Sequence, residues 1–567
     1  MIEFKKEAAL DKKIEELGKK LKYFSAIRLI LGILFIVFLI SLFSIGSITF
    51  IVLSILSFIL LVGFMIYTNK FYVENDHLKK KKLVYTLHKK RRELQYASFY
   101  DTGSDFLNKD DYKLSDLDLF GKKSLYQYLC AAKTKLGRQG LAKSLTSPDK
   151  RDKEYTKCIE ALANSEDVID IEADICEFSA DAKHLDYDEF TSLLGKKIPF
   201  KPIFLLPLLS FIGTIIFAIL IPILHINPLY ILIFLVLNLL SVRVLSNEAF
   251  SLNSTAYENI CEAYIRVSKT IINTKIEDPY FKELQNTISV ELNSLLKIKG
   301  IYSTLSCRKN AIFNLGLNTL FVVDFWILLR YNRINDEALS LANLFEAVGE
   351  VEVMLSLANI GIDNEVYCIS EEADEIEGVE MYHPLVKGCV PNSIKMDGGI
   401  ILTGSNMSGK TTFMRTLGIN EILHNACGLV PAKAFRAPYL KVFTSLRAND
   451  MLSEGVSTFY AEILRMKRIN EAITGERCLI LIDEIFKGTN ALERITASKK
   501  VIDKLNLYKA IFIISTHDFE LCDSEGITNY HFSEHYKDDT IGFDYILKDG
   551  KCESKNALYL LKMSGII

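Results

Sequence analysis

The sequence lacks an excess of charge of either sign, and it lacks closely spaced pairs of cysteines. Its 67 Lys and Arg residues stand against 70 Asp and Glu residues, which gives a net charge of −3. A protein that coats nucleic acid with an overall basic surface is therefore excluded, and any such contact must come from a local patch. The 11 cysteines form no Cys-x-x-Cys motif. They indicate a reduced, cytosol-facing protein without structural zinc.

Two long stretches contain no charged residue, and the mean hydropathy of +0.18 is high for a soluble protein. Residues 29–69 and 202–242 each run for 41 residues without Lys, Arg, Asp or Glu. A membrane-spanning helix needs about 20 residues, so each stretch is long enough for two spans. Turn-forming residues interrupt both stretches near the middle: Ser44, Gly46, Ser47, His225, Asn227 and Pro228. We expect two transmembrane hairpins; buried helices of a soluble domain are the alternative.

Basic residues flank the first hairpin on both sides, whereas the tips of both hairpins carry no Lys or Arg. The positive-inside rule then places the ends of each hairpin in the cytoplasm and predicts a multi-pass protein of the cell membrane. Two basic runs, at residues 79–82 and 89–92, follow the first hairpin. They have three interpretations: contact with anionic lipid, control of topology, or contact with nucleic acid.

The remaining sequence divides into a helical part and an α/β part. Residues 1–24 have helical apolar spacing and predict an amphipathic helix that leads to the membrane. Residues 84–199 and 243–357 are mainly helical in pattern. After residue 361, short β-branched runs alternate with helical patterns, which is typical of an α/β domain with a parallel sheet.

A phosphate-binding loop is the strongest motif in the α/β part. Residues 404–411 match Gly-x-x-x-x-Gly-Lys-Thr, directly after an apolar strand and before a helical segment. Backbone N–H groups of such a loop wrap a phosphate, Lys410 would neutralise the β and γ phosphates, and Thr411 would bind Mg²⁺. The predicted nucleotide-binding residues here are Gly404, Ser405, Asn406, Met407, Ser408, Gly409, Lys410, Thr411 and Thr412.

Two further apolar strands end in residues suited to phosphoryl transfer. Residues 479–482 lead to Asp483, expected to hold Mg²⁺, and to Glu484, expected to polarise the attacking water. Residues 511–514 lead to His517, which would sense the γ-phosphate. Each motif alone has a structural explanation, but together they supply a phosphate cradle, a metal site and a positioned water. We therefore predict a Mg²⁺-dependent ATP hydrolase with Lys410, Glu484 and His517 as catalytic residues.

A third apolar run, residues 311–329, is long enough to span a membrane once. It contains Asn314, Asn318 and Asp324. A spanning helix here would also place the nucleotide motifs outside the cell, away from ATP. We therefore interpret the run as a packed core helix.

The motifs together resemble those of the MutS family, the DNA mismatch-repair ATPases. Residues 403–415 resemble the MutS phosphate loop, and five more segments resemble MutS elements in the family's order: 381–384, 427–432, 450–462, 483–490 and 515–517. In the helical part, residues 117–148 resemble the start of the MutS core domain and 346–358 its end. The resemblance implies ATP and Mg²⁺ as cofactors and a homodimer through the ATPase domains. It also implies that Ser457 and Thr458 reach the partner's nucleotide.

Departures from the family point to a membrane-anchored branch. Repair-type MutS proteins begin with a mismatch-reading domain, but nothing before Leu94 resembles it, and a hairpin stands in its place. The second hairpin lies about where the family's levers carry the DNA clamp. The fold class expected is an α/β P-loop (ABC-like) ATPase domain with a parallel-rich sheet, preceded by a mainly α-helical MutS-like core and lever region that carries two transmembrane hairpins.

The expected function is an ATP-driven dimeric switch, anchored in the membrane and coupled to DNA. The alternative is an ATP-driven membrane switch or scaffold that acts on a protein or membrane partner without DNA. The expected domains are an N-terminal helix (1–24), transmembrane hairpin 1 (25–69), a helical core segment (70–200), transmembrane hairpin 2 (201–243), a core and lever segment (244–360) and the ATPase domain (361–567).

Overall fold

The computed structural model describes residues 5–108, 111–147, 152–176, 178, 201–225, 227–249, 254–307, 311–334, 341–405, 407–446, 458–474, 477–486, 489–537 and 540–552. The helices in these ranges are α1 (Lys5–Ile45), α2 (Ile48–Arg92), α3 (Tyr112–Asp116), α4 (Leu125–Leu129), α5 (Lys135–Thr146), α6 (Lys153–Ala163), α7 (Val168–Ile175), α8 (Leu206–Leu224), α9 (Ile231–Ala249), α10 (Ser254–Asn273), α11 (Pro279–Cys307), α12 (Ala311–Phe321), α13 (Val323–Ile334), α14 (Leu341–Asp363), α15 (Lys410–Ala426), α16 (Thr458–Ala472) and α17 (Ala491–Leu507). The strands are β1 (Cys368–Ile369), β2 (Glu371–Glu372), β3 (Ile376–Met381), β4 (Asn392–Met396), β5 (Gly399–Thr403), β6 (Leu429–Val430), β7 (Ala434–Ala437), β8 (Lys441–Ser445), β9 (Cys478–Asp483), β10 (Ile511–Ser515), β11 (Ile527–Lys537) and β12 (Thr540–Asp549).

The first apolar stretch forms an antiparallel pair, α1 and α2. The turn lies at Gly46 and Ser47, where the sequence predicts it, and the Ser47 side chain caps α2 by accepting a hydrogen bond from the Thr49 N–H. Helix α1 is unbroken from residue 5, so the N-terminal amphipathic segment and the apolar segment are one helix. Helix α2 continues to Arg92, about 33 Å beyond the end of its apolar part.

The second apolar stretch forms a second pair, α8 and α9. His225, with φ of 50°, ends α8, and a 3₁₀ turn at Pro228–Tyr230 precedes α9. This break also lies where the sequence predicts it. Three described helical segments are long and apolar enough to cross a membrane: Ala9–Ile45, Ile48–Arg92 and Pro202–Leu224. The apolar part of α9, Ile231–Leu245, is shorter.

The third apolar run differs from the single core helix expected. It forms two helices, α12 and α13, which meet at Val322, where φ is 44°. The two helices pack against the second apolar pair rather than only within the helical core. The residues buried at this contact are Phe204, Val242, Leu245, Val322, Phe325 and Leu328.

Several lysines that follow the first hairpin form ion pairs. The ammonium groups of Lys80, Lys81 and Lys82 lie 2.6, 2.5 and 2.5 Å from carboxylate oxygens of Asp76, Asp170 and Asp11. Lys82 thus links α2 to α1, and Lys81 links α2 to α7. This part of the basic run holds helices together.

Helix α14 is the buried centre of the helical region. Its Glu352 is fully buried and accepts hydrogen bonds from the backbone N–H groups of Lys133 and Thr134. Burial raises the pKa of Glu352 to about 7, although these donors and the Thr134 hydroxyl oppose the shift. A Cβ at Gly137 would lie 2.1 Å from a Glu352 carboxylate oxygen, so α5 can approach α14 this closely only with glycine there.

A buried charge cluster joins the end of α2 to the end of α14. Asp363 Oδ2 lies 2.8 Å from His88 Nδ1, and Asp363 Oδ1 accepts a hydrogen bond of 3.2 Å from Arg92 Nε. Glu172 Oε2 lies 3.2 Å from His88 Nε2. Burial alone would lower the pKa of His88, but Asp363 and Glu172 outweigh it and raise that pKa to about 9. A protonated His88 therefore joins these elements.

The α/β region is built on a six-stranded sheet of order β12-β11-β5-β10-β9-β8. All neighbours in it are parallel except β11 and β12. A four-stranded sheet, β2-β7-β3-β4, and a two-stranded sheet, β1-β6, lie beside it. In the register, Ser515 pairs with both Asp483 and Leu402. The carboxyl ends of β5, β9 and β10 therefore meet at one edge, as the α/β prediction requires.

Candidate nucleotide site

The loop between β5 and α15 has the backbone shape of a phosphate cradle. Strand β5 is wholly buried, and α15 begins at Lys410, directly after the loop. Gly404 has φ of 142°, and a Cβ there would lie 2.7 Å from the Phe532 carbonyl oxygen. Any other residue would clash with β11 and strain the backbone. The N-terminus of a 17-residue helix therefore faces a loop that only glycine allows to form.

Lys410 is buried and its charge lies within this loop. The Lys410 ammonium donates hydrogen bonds of 2.8 Å to the Gly404 carbonyl and 2.9 Å to the Ser405 carbonyl. The loop thus holds a positive charge beside the positive end of the α15 dipole. Both features favour an anion at this point.

Thr411 and Asp483 form a pair of oxygen ligands suited to Mg²⁺. The Thr411 hydroxyl donates a hydrogen bond of 2.6 Å to Asp483 Oδ2. The Ser515 hydroxyl, on the neighbouring strand, donates to Asp483 Oδ1. Mg²⁺ binds through one or two such groups together with phosphates and water. No group of three or more His, Cys, Asp or Glu side chains suited to a metal occurs in the described residues.

Glu484 and His517 meet at the same edge of the sheet. His517 Nε2 lies 3.2 Å from Glu484 Oε1. Glu484 has φ of 56°, which is strained for a non-glycine residue, and its N–H donates a hydrogen bond of 3.0 Å to the Ser515 carbonyl. Glu484 directly follows Asp483, the last residue of β9. A carboxylate so placed can accept a proton from water.

A cavity of about 330 Å³ adjoins the loop and the first turn of α15. Aromatic residues, among them Phe532 and Tyr545, and Thr412 contribute to its wall. Asn392 ties β4 to β12 beside it, donating to the Tyr545 carbonyl and accepting from the Leu547 N–H. The other lining residues are Met381, Val386, Lys387, Gly388, Cys389, Val390, Gly409, Phe413 and Thr416. Most of this wall was not predicted from the sequence.

The segment that follows β3, residues 383–389, contributes to the wall of that cavity and contains a buried histidine, His383. His383 Nδ1 accepts a hydrogen bond from the Leu385 N–H, and the His383 N–H donates to Cys389 Sγ. Burial, together with the charge of Arg415, lowers the pKa of His383 to about 4. A neutral imidazole therefore fixes the segment of residues 383–389.

The described structure brings most of the predicted site residues together, around the ends of β5, β9 and β10. Ser408 is buried, whereas Met407, at the tip of the loop, has φ of 74° and is 84% exposed. Asn406 and Ser457 lie outside the described residues. Thr458 is the first residue of α16.

The fold and the site thus have the arrangement of an α/β domain of the P-loop class. Residues 400–566 match the family model of MutS domain V, which is an ATPase domain. The chain is 27% identical over 328 residues to the DNA mismatch repair protein MutS of Aquifex pyrophilus, a match that covers 55% of this chain and 37% of that protein. It is 30% identical over 328 residues to the protein of the same name from Persephonella marina, covering 55% and 36%. A third relative, from Leptospira interrogans, is 30% identical over 260 residues, covering 42% and 30%.

The chain is thus similar to MutS domain V over residues 400–566, and about half of it is similar to MutS proteins. It spans about a third of the length of the curated relatives described above.

Proposed function

We propose that this protein hydrolyses ATP in a Mg²⁺-dependent reaction at the edge formed by β5, β9 and β10. The observation that carries the proposal is the hydrogen bond of 2.6 Å between Thr411 and Asp483, beside the buried ammonium of Lys410. Lys410 would exchange its two loop carbonyls for phosphate oxygens. Thr411 and Asp483 would hold Mg²⁺, which neutralises phosphate charge when bound.

Glu484 and His517 are proposed to act on the attacking water. Glu484 would hold and deprotonate the water, and His517, 3.2 Å from it, would orient that carboxylate and contact the γ-phosphate. The cavity beside α15 would take the base, since Phe532 and Tyr545 offer aromatic surface for stacking. ATP turnover by the purified chain, measured with and without Mg²⁺, tests this assignment.

We further propose that two chains complete each site, with Ser457 and Thr458 of one protomer reaching the nucleotide of the other. This rests on the resemblance to MutS proteins. Ser457→Ala should lower turnover, and mixing with Lys410→Ala chains should restore part of it, because one composite site in the mixed dimer is intact. If mixed dimers form and show no recovery, catalysis across subunits is refuted.

The apolar pairs are proposed to be transmembrane hairpins at residues 25–69 and 201–243. This proposal is supported by the many exposed apolar side chains of these helices, three of which are long and apolar enough to cross a membrane. The cytoplasmic parts would then be 1–24, 70–200, 244–360 and the ATPase domain, 361–567. Protease protection of tagged hairpin tips in sealed membrane vesicles tests this topology.

DNA is the proposed partner of the ATP-driven switch, because the relatives that the chain matches are named DNA mismatch repair proteins. Recognition of a mismatch itself is not part of the proposal. Retention of DNA by the detergent-solubilised protein should fall steeply with salt and change with ATP. Equal affinity for all DNA would agree with this proposal, whereas no affinity for any DNA would refute it.

One structural feature favours a second candidate, an ATP-driven membrane switch that acts without DNA. The helix that leaves the first hairpin, α2, is fixed to the end of α14 by the buried cluster of His88, Arg92 and Asp363. A movement of the ATPase domain would then be transmitted to the hairpin. An ATP-dependent change in hairpin accessibility that persists without DNA would favour this candidate.

A further inference from the structure

The third apolar run contains a break that is stabilised from within. Helices α12 and α13 meet at Val322, and a change of direction frees backbone N–H groups of the second helix. The Asn318 side-chain oxygen accepts a hydrogen bond of 2.9 Å from the Asp324 N–H. The Val322 N–H donates to the Asn318 carbonyl and the Phe325 N–H to the Val322 carbonyl. A break satisfied internally is the kind that an apolar environment tolerates.

The break lies at the level of the middle of the second hairpin. Asn238 is the central residue of the apolar helix Ile231–Leu245. Its side-chain amide donates hydrogen bonds of 3.0 Å to the Thr319 carbonyl and 3.1 Å to the Thr214 hydroxyl. Thr319 is only three residues before Val322. The junction of α12 and α13 therefore lies beside the central part of the hairpin and not beside its end.

Helix α13 returns from this level to the helical core. Phe325 and Leu328 pack in the hairpin contact, whereas Tyr331, further along, is buried in the main core together with Tyr302 of α11. The rise of about 1.5 Å per residue gives α12 a length of about 16 Å, roughly half of a hydrocarbon core of about 30 Å. The two helices are long enough to reach the middle of a bilayer and return.

The outer surface of this pair is apolar. Leu320, Phe321, Trp326 and Leu329 are between 41% and 52% exposed. The only carboxylate of residues 311–329, Asp324, is 1% exposed. The first cationic residues after the apolar surface are Arg330 and Arg333, which are exposed at the end of α13, where lipid headgroups would meet them.

We propose that α12 and α13 form a re-entrant membrane element, which enters the bilayer from the cytoplasmic side beside the second hairpin and returns to the same side. Its outer surface contacts lipid. The inference rests on the proposed insertion of the hairpins, and it keeps the ATPase domain in the cytoplasm without a further span. Lipid, rather than a protein partner, is the occupant because this surface is continuous with the lipid-facing surface proposed for α8 and α9.

Trp326 is the only tryptophan of the chain, so its fluorescence reports on this element without any substitution. The experiment uses the full-length protein in phosphatidylcholine vesicles, with and without lipids brominated on the acyl chains, and with iodide as an aqueous quencher. Two control variants each carry one tryptophan elsewhere in a Trp326→Phe background, at positions about as exposed as Trp326. Leu237→Trp, at a position 46% exposed, reports on the hairpin, and Phe519→Trp, also 46% exposed, reports on the ATPase domain.

Trp326 should lose most of its emission to brominated lipid and little to iodide, as Leu237→Trp should, whereas Phe519→Trp should show the reverse. Trp326 lies four residues after the break, about 6 Å from it along α13, so bromine near the chain end should quench it more than bromine near the headgroup, which lies about 15 Å from the middle of the bilayer. If Trp326 responds only to iodide, or to neither quencher, while Leu237→Trp responds to lipid, the re-entrant element is refuted and the hairpin stands. If Leu237→Trp also responds only to iodide, both are refuted.

Discussion

The nucleotide site and the junction between α2 and α14 are both charged, but they differ in how their charges are compensated. At the nucleotide site, the Lys410 ammonium donates hydrogen bonds to the Gly404 and Ser405 carbonyls, and the Glu484 side chain is partly exposed. At the junction, His88 and Asp363 are buried and held by charged partners on other helices. The first arrangement can exchange partners with a ligand, whereas the second fixes two helices. Substitutions should therefore affect chemistry at one place and stability at the other.

The largest effect is expected from Lys410→Ala, which removes the positive charge from the loop. Nucleotide binding should be abolished, because Lys410 is the single cationic residue of the loop, residues 404–411. Binding of a fluorescent ATP analogue measures it, and Lys433→Ala, an exposed lysine paired with Glu380, is the matched control. Wild-type affinity in Lys410→Ala would contradict the role of the loop.

Glu484→Gln should retain ATP binding and reduce turnover by a factor of about 10² or more, the usual contribution of a general base. The melting temperature should stay close to that of the wild type, because the side chain is partly exposed. Turnover and ATP binding are measured in parallel, with the exposed residue Glu520→Gln as control. Turnover that survives in Glu484→Gln would remove this residue from the mechanism.

Asp363→Asn should mainly lower the stability of the fold, whereas Glu484→Gln mainly lowers turnover. It leaves the buried His88 and Arg91 and the partly buried Arg92 without this carboxylate, and breaking such a buried cluster costs about 3–5 kcal/mol. The midpoint of thermal unfolding should fall clearly, whereas Glu365→Gln, two residues away and exposed, should leave it nearly unchanged. An unchanged midpoint in Asp363→Asn would show that the junction does not hold the two helices.

The smallest effect concerns pH, and two of the buried histidines, His88 and His383, should act in opposite directions. The folded pKa of His88 is about 9, above the unfolded value of about 6.5. Its contribution is complete below pH 6.5 and is lost as pH rises through 9. The folded pKa of His383 is about 4, so its contribution is present above pH 6.5 and lost as pH falls towards 4.

Unfolding midpoints between pH 4 and pH 10 test these two contributions. His88→Gln should flatten the alkaline side of the profile and His383→Gln the acidic side. The groups that face His88 are Asp363, Glu172 and Arg91. A wild-type profile that rises between pH 7 and pH 9.5 would contradict the charged state of His88.

The same comparison explains how much the sequence could predict. The phosphate loop and the ends of β9 and β10 are local patterns whose place in a parallel sheet follows from their order, so these residues were predicted. The hairpin turns were predicted for the same reason. The junction joins His88 to Asp363 across 275 positions, and no local pattern indicates such a pair.

Two other features were missed for physical reasons. The wall of the cavity comes from β3–β4, α15 and the β11–β12 hairpin, which only the tertiary fold brings together. The break at Val322 occurs at a β-branched residue, which rarely has positive φ, so the sequence pattern favours one unbroken core helix. Asn318, whose side-chain oxygen accepts a hydrogen bond from the Asp324 N–H, is a polar residue in this apolar run and indicates the break.

The central claim is our proposal that Thr411 and Asp483 hold the Mg²⁺ with which the chain hydrolyses ATP. The most direct measurement is ATP turnover by the full-length protein in liposomes, over a range of Mg²⁺ concentrations, for the wild type and for Asp483→Asn. The account predicts turnover that requires Mg²⁺ in the wild type, and a far higher Mg²⁺ requirement or no turnover in the variant. Equal turnover and equal Mg²⁺ dependence in the two proteins would contradict it.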